Sequence, residues 1–234
     1  MIEPMLLVLI LASSAISALN PYTIGVLILL ISLLLGKGHP TRRMFRLGLT
    51  FVVAVFVTSL LAGSVLLALF SLVGELSRVF LSVGIALFIV IAGILEIKDY
   101  FWYGRHLSLR VPTKAAEHIK GMSKKTAGLV ETALLGAFVA LAALTTTSAP
   151  YLATITILKD HFDAAAIWLL VLYNVVFILP LLILLIIVTS GVKISSVQHW
   201  KEERKGAMRL GVGLLLIALG WVIILIANGV INLG

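Results

Sequence analysis

The sequence predicts an all-α integral membrane protein with six membrane-spanning helices. Hydrophobic residues make up 61% of the chain and charged residues only 12%, and the mean hydropathy of +1.18 exceeds what the core of a soluble domain requires. Apolar runs long enough to cross a hydrocarbon layer of roughly 30 Å recur along the chain. Their continuity indicates helices, because the strands of a membrane barrel alternate polar and apolar residues. We expect one transmembrane domain over 1–234, with spans at 5–35, 47–72, 77–97, 127–158, 165–190 and 210–232.

The first span is too long for one straight helix. Its 31 residues would form a rod of about 46 Å, so we expect a break, and Pro21 supplies it. The Pro21 ring clashes with the carbonyl group of Ser17, and its nitrogen donates no hydrogen bond. We do not interpret the segment as a signal peptide, because Glu3 is the only charged residue before Lys37 and the apolar pattern resumes after Tyr22.

The fourth span repeats this design after two uninterrupted spans. Its 32 residues contain "LTTTSAPYLATI", in which Pro150 disturbs the carbonyl group of Thr146. A tyrosine follows the proline in both breaks, and the two broken helices cross the membrane in opposite directions. This arrangement is typical of a 3+3 inverted repeat, here with halves at 1–97 and 126–234 joined by a cytoplasmic loop at 98–125.

Residues at the two breaks are the candidates for a binding site near the middle of the bilayer. Backbone groups freed by a break cannot face lipid, so they need polar side chains or a ligand. The candidate binding residues at the breaks are Asn20, Pro21, Thr23, Thr145, Thr146, Thr147, Ser148 and Pro150. Asn174 in the fifth span joins them, either as a packing contact between helices or as the lining of a pathway, and both interpretations stay open.

The distribution of basic residues predicts the orientation in the membrane. Four, seven and five of the 18 lysines and arginines lie in the loops at 36–46, 98–125 and 192–209, whereas the opposite loops contain only Arg78 and Lys159. By the positive-inside rule these three loops face the cytoplasm, which places the protein in the cytoplasmic membrane with both termini outside. Aromatic residues accompany the basic ones in 98–125, which indicates contact with the lipid bilayer rather than with nucleic acid.

Soluble-enzyme chemistry has no motif in this chain. The five histidines are scattered without the spacing of a metal site, and we find no phosphate-binding glycine loop, nucleophile elbow or pair of catalytic carboxylates. We therefore expect no metal and no cofactor.

The chain resembles the CcdA cytochrome c biogenesis proteins and the related membrane domain of DsbD, in the LysE-like superfamily. The likeness covers nearly the whole chain and consists of the topology, the inverted repeat and the two proline-broken helices. The first cysteine of that family would fall on Tyr22 in "NPY", and the second on Thr147, or alternatively on Thr146, in "TTTSAPYLATITIL". The resemblance implies a transporter of reducing equivalents that accepts electrons from cytoplasmic thioredoxin and reduces a thioredoxin-like protein outside.

The chain departs from that family because it contains no cysteine. Thiol–disulfide exchange requires a thiolate, which neither a phenol nor a threonine hydroxyl can replace. We therefore interpret the chain as a redox-silent CcdA-like protein, which would be an oxidoreductase only with cysteines at Tyr22 and Thr147. The alternative is a secondary transporter of a small solute or ion that binds its cargo at Asn20, Tyr22 and 145–148. A purely structural subunit would explain the topology but not the paired breaks.

Overall fold

The computed structural model describes residues 4–19, 21–36, 38, 40–102, 117, 121, 128–146, 148–158 and 164–231. Within these residues the chain forms eight helices and no strand. The helices are α1 (Pro4–Ala18), α2 (Pro21–Gly36), α3 (Thr41–Ser71), α4 (Glu75–Phe101), α5 (Leu129–Thr146), α6 (Ser148–Ile157), α7 (Ala164–Thr189) and α8 (Ile194–Ala227). Most of the expected loop at 98–125 lies outside the described residues.

Four of these helices are long and apolar enough to cross a membrane without interruption. Their spans are Thr41–Ser71 in α3, Val79–Phe101 in α4, Ala164–Thr189 in α7 and Glu202–Ala227 in α8. Two further crossings arise if α1 with α2, and α5 with α6, each form one bent span. The described part of the chain is therefore an all-helical, multi-pass membrane protein with four to six spans. This confirms the predicted all-α membrane class, whereas the inverted repeat stays a prediction.

Both breaks lie beside the prolines that predicted them. Helix α1 ends at Ala18 and α2 begins at Pro21, and the axes of the two helices differ by 44°. Proline fits the first turn of a helix because a nitrogen there has no intrahelical hydrogen bond to lose. Helix α5 ends at Thr146, and α6 continues at an angle of 78° with Pro150 as its third residue. Each proline therefore lies in the first turn of a new helix.

Two helices begin earlier than the apolar pattern predicts. Helix α3 begins at Thr41 instead of 47, and α8 begins at Ile194 instead of 210. The additional residues of α8 are polar, and side chains one turn apart pair along them, His199 with Glu203 and Lys205 with Glu202. The expected loop at 192–209 is therefore largely helical, because hydropathy marks the hydrocarbon layer and not the end of the helix.

Helices α4 and α8 pack closely against each other through glycines. A Cβ atom on Gly93 would lie 2.7 Å from the carbonyl oxygen of Gly213. A Cβ atom on Gly213 would likewise lie 2.7 Å from the carbonyl oxygen of Gly93. A Cβ on Gly220 would lie 3.0 Å from the carbonyl oxygen of Ala86, so the two helices run antiparallel. Small residues allow membrane helices to associate by backbone approach. We call this contact, made by Gly93, Gly213 and Gly220, the α4–α8 seam.

A buried charged cluster lies at one end of the α4–α8 seam. The Nη1 atom of Arg209 is 2.8 Å from Oδ2 of Asp99 and 3.5 Å from Oε2 of Glu96, and Nζ of Lys98 is 2.7 Å from Oδ1 of Asp99. Asp99 is 2% exposed and Arg209 is 8% exposed. Buried charges are tolerated when they are paired in this way. The cluster joins the last turn of α4 to the first part of the α8 span.

We expect Gly213→Ala to lower the free energy of unfolding by about 1–2 kcal/mol. The added methyl group meets the backbone of Gly93, which no side-chain rotation can relieve. Gly211→Ala is the matched control on the same helix, because a Cβ atom there has no neighbour within 4 Å. Both changes raise helix propensity equally. Thermal unfolding in detergent should therefore show a lower Tm for Gly213→Ala than for Gly211→Ala. Equal Tm values for the two variants would contradict close backbone packing between α4 and α8.

The other helices surround α3 and α7. Helix α3 packs on α5 and α7, and α1 packs on α6 and α7. A Cβ atom on Gly136 of α5 would lie 2.7 Å from the carbonyl oxygen of Phe51, so α3 and α5 also meet through backbone approach. This packing brings α1, α3, α6 and α7 together inside the molecule.

Candidate functional site

Buried hydroxyl groups join α1 to α6. Helix α1 carries Ser13 and Ser17, which share one helix face because they are four residues apart. The Oγ atom of Ser13 lies 2.6 Å from Oγ1 of Thr154 on α6. The Ser13 hydroxyl also lies within hydrogen-bond distance of the Ile10 carbonyl oxygen on α1, and the Thr154 hydroxyl of the Pro150 carbonyl oxygen on α6. The first half of one broken helix is thus hydrogen-bonded to the second half of the other.

Two tyrosines extend these contacts to α7 and α3. The hydroxyl groups of Tyr173 and Ser17 form a hydrogen bond. The ring of Tyr173 packs edge-on against the ring of Tyr151, with 4.8 Å between the ring centroids. The Tyr151 hydroxyl donates to the carbonyl oxygen of Ser59 on α3 over 2.6 Å. Both phenol groups therefore have the partner that a buried hydroxyl requires.

Asn174 on α7 completes the arrangement. Its Nδ2 atom donates to the Tyr151 oxygen over 3.2 Å and to the Leu170 carbonyl oxygen over 2.8 Å. Its Oδ1 atom is buried and accepts no hydrogen bond from the described residues. An unpaired buried acceptor is costly, so this atom could accept a further donor. We call these buried side chains the polar network: Ser13, Ser17, Tyr151, Thr154, Tyr173 and Asn174.

Gly63 on α3 makes room for the Tyr151 hydroxyl. A Cβ atom on Gly63 would lie 2.0 Å from the Tyr151 oxygen and 2.7 Å from the ring carbon that carries it. Ser59, whose carbonyl oxygen accepts the Tyr151 hydrogen bond, lies one helical turn before Gly63. Only glycine allows the phenol to approach the α3 backbone this closely.

A small cavity adjoins the polar network. Its volume is about 20 Å³, and its polar lining consists of Ser17, Ser59, Tyr151 and Tyr173. Such a volume holds about one water molecule. In the part of the chain that the structure describes, no group of three or more histidine, aspartate or glutamate residues is placed to hold a metal ion. The site can bind a water-sized polar group and join four helices, but a larger solute has no room in this arrangement.

Comparison with known proteins establishes the family. A family model described as Sap, sulfolipid-1-addressing protein, matches residues 10–230. The chain belongs to this family. No curated protein and no solved structure matched the Sap chain.

The Sap family match shows that the assignment to the CcdA and DsbD proteins is wrong. That resemblance depended on the topology, the inverted repeat and the two proline-broken helices, and the chain lacks the cysteines of those proteins. Transport of reducing equivalents, cytochrome c biogenesis and thioredoxin partners therefore have no support. The interpretation of Tyr22 and Thr147 as redox positions loses its support with that assignment. The alternative, a secondary transporter of a small solute or ion, is also unsupported by the match.

The structure describes part of the predicted site. Three of the predicted residues have described side chains, all of them buried: Thr23, Pro150 and Asn174. Five others have only their backbone described, at the start of α2, the end of α5 and the start of α6: Pro21, Tyr22, Thr145, Thr146 and Ser148. Two lie outside the described residues: Asn20 and Thr147. Convergence of the two breaks at one pocket therefore stays a prediction.

Most of the polar network was not predicted from the sequence. The missed groups are hydroxyls within apolar helices, together with one backbone carbonyl: Ser13, Ser17, Tyr151, Thr154, Tyr173 and Ser59. Two signals could have found some of them. Serines spaced by four residues in α1 share a helix face, and a tyrosine directly precedes Asn174 in an otherwise apolar helix.

Proposed function

We propose that this protein takes part in addressing a sulfolipid, an amphiphilic lipid with a sulfated headgroup, from the cytoplasmic membrane to its place in the cell envelope. The match of the Sap family model to residues 10–230 carries this proposal, because the description of the family names sulfolipid-1 addressing. The protein would therefore act on a molecule that is already in the membrane.

Within the described residues, the cavity beside the polar network is too small for a water-soluble cargo, and the outer surface suits a lipid. The cavity beside the polar network has a volume of about 20 Å³, and neutral groups line it. Its size excludes even a small sugar or amino acid. Large apolar side chains instead cover the outside of the helices, as Val53, Leu61 and Val65 do on α3. An amphiphilic molecule can reach this surface directly from the bilayer.

We also propose that the chain is a 3+3 inverted repeat, with halves at 1–97 and 126–234, a linker at 98–125 and both termini outside. Exchange of the two halves would turn the contact of α3 with α5 into that of α7 with α1, and both contacts are present. The same exchange would leave the pairs α4–α8 and α3–α7 unchanged, and these also pack together. The two bent helix pairs would exchange as well. These correspondences support the proposed symmetry.

In this proposal the polar network controls the broken helices. The hydrogen bond between Ser13 and Thr154 joins the two broken spans, and Tyr151 attaches α6 to the unbroken helix α3. In inverted-repeat transporters one half rocks or gates against the other around a site that the broken helices form, and the Ser13–Thr154 hydrogen bond joins the two halves. The strength of these hydrogen bonds would therefore set how readily the protein changes conformation while it handles a lipid.

The proposal is tested by inactivating the gene in the organism that carries it. Cells are labelled with radioactive sulfate, and sulfolipid is measured separately in surface extracts and in total lipid. We expect the total pool to be retained and its surface fraction to fall severalfold, and re-expression of the chain to restore it. An unchanged surface fraction would overturn the proposal. Loss of the total pool would overturn it too, because it would place the protein in synthesis.

A further inference from the structure

A groove lies between the first turns of α3 and α5. Its volume is about 470 Å³, and Arg42, Arg43 and Arg46 line it from α3, while Gly128 and Leu129 line it from the start of α5. The described residues that line it include no aspartate or glutamate. We call this feature the basic groove. It is separate from the polar network, with which it shares no residue.

Three arginines lie close together at the start of α3. Arg46 lies three residues after Arg43 and four after Arg42, so the three side chains share one side of the first turns of α3. The start of a helix is also the positive end of its dipole, which attracts anions. The first turn of α3 has no acidic residue, although Glu131 in the first turn of α5 lies beside Gly128, with its Oε2 atom 2.5 Å from the position of a Gly128 Cβ. The positive charge and the helix dipole together favour an anion in the groove.

We propose that the basic groove binds the anionic headgroup of a membrane lipid, a sulfate or phosphate ester. The planar guanidinium group donates pairs of hydrogen bonds to the oxygens of such esters. A volume of about 470 Å³ is far larger than a single sulfate or phosphate ion requires, and it suits an ion attached to a sugar or glycerol. Binding of an anionic headgroup follows from the groove alone, whereas the choice of a sulfolipid as its ligand rests on the proposed function.

The surroundings of the basic groove favour a lipid over a free anion. Exposed apolar side chains flank it on both helices, with Phe45 and Leu49 on α3 and Val130 on α5. Val130 is 70% exposed. The groove also lies at the end of the α3 span, where the polar headgroups of a bilayer meet the hydrocarbon. A lipid bound here would place its headgroup among the arginines and its chains along α3 and α5.

Binding is measured on the purified full-length protein in nanodiscs of neutral lipid. The probes are sulfated galactosylceramide, its unsulfated parent, phosphatidylglycerol, and inorganic sulfate and phosphate as competitors. The test variant is R42Q/R43Q/R46Q. The control variant is K193Q/R204Q/K205Q, which removes the same charge from the polar start of α8. Because the triple change could impair folding, R46K, which keeps the charge but loses the planar fork, is measured in parallel.

We expect sulfated galactosylceramide to bind and its unsulfated parent not to bind. R42Q/R43Q/R46Q should weaken binding about tenfold or more and R46K severalfold, because charge-assisted hydrogen bonds are lost. The control variant should bind as the wild type does. Equal losses in both triple variants would show a diffuse charge effect and overturn the proposal, and so would inorganic sulfate or phosphate competing at the lipid's own concentration.

The two proposals can fail separately. Preference for phosphatidylglycerol over the sulfated lipid would support a headgroup site in the basic groove while removing its link to the sulfolipid. Conversely, loss of surface sulfolipid on gene inactivation would stand even if the groove bound no lipid.

Discussion

Asp99→Ala is expected to lower the free energy of unfolding by about 3 kcal/mol. The change removes the carboxylate that lies 2.8 Å from the buried Arg209 and leaves Glu96, at 3.5 Å, as a weaker partner for the guanidinium group. Removing one member of a buried ion pair is costly because the remaining charge keeps its desolvation penalty. Thermal unfolding of the purified protein in detergent, followed by loss of the monodisperse peak, measures the effect.

Two further variants separate charge burial from general damage at this position. Asp99→Leu combined with Arg209→Met removes this ion pair, and we expect it to recover part of the lost stability, because Glu96 then loses its arginine partner. Glu203→Ala removes an exposed carboxylate that contacts His199 on α8, and it should change stability by less than about 0.5 kcal/mol. If the double variant unfolds as readily as Asp99→Ala, the ion pair is not the source of the effect.

Gly63→Ala is expected to lower the free energy of unfolding by about 2–3 kcal/mol, because its methyl group would lie 2.0 Å from the Tyr151 oxygen. Tyr151 is 4% exposed, and its ring is held between α3 and Tyr173, so the phenol cannot rotate away. If the methyl group displaced the Tyr151 hydroxyl, the hydrogen bond from this hydroxyl to the Ser59 carbonyl oxygen would be lost. The same detergent unfolding assay measures the loss.

A rescue experiment identifies the clash. Tyr151→Phe in the Gly63→Ala background removes the oxygen at 2.0 Å but keeps the ring carbons at 2.7 Å, so we expect partial recovery. Gly84→Ala is the control, because a Cβ atom at Gly84 has no neighbour within 4 Å and should leave stability unchanged or slightly higher. Additive effects of the Gly63 and Tyr151 changes would contradict direct contact between these residues.

The breaks in α1–α2 and α5–α6 could be predicted from the sequence because their cause is local. The effects of Pro21 and Pro150 on the backbone are steric, and each span is too long for one straight helix. The early start of α8 could not be predicted from hydropathy, because residues such as His199 and Glu203 support a helix without being apolar. The proline pattern did not distinguish families, since a break constrains the backbone and not the chemistry of its neighbours.

Of the polar network only Asn174 was predicted, because the hydrogen-bond partners of Ser13, Ser17 and Tyr151 lie on other helices. Ser17 and Tyr173 are 156 positions apart in the chain, and hydropathy treats both as nearly neutral. Their pairing depends on the packing of α1 against α7. The same holds for the α4–α8 seam, because the need for glycine at position 93 comes from its contact with Gly213 on another helix. Contacts of this kind are set by tertiary structure and leave little trace in local composition.

The cavity beside the polar network, as the described residues line it, is too small for a file of water. A file of hydrogen-bonded water across roughly 30 Å of hydrocarbon needs on the order of ten molecules. The cavity beside Tyr151 measures about 20 Å³ and therefore holds about one. Among the described residues, this cavity therefore offers protons no continuous water-filled route across the membrane.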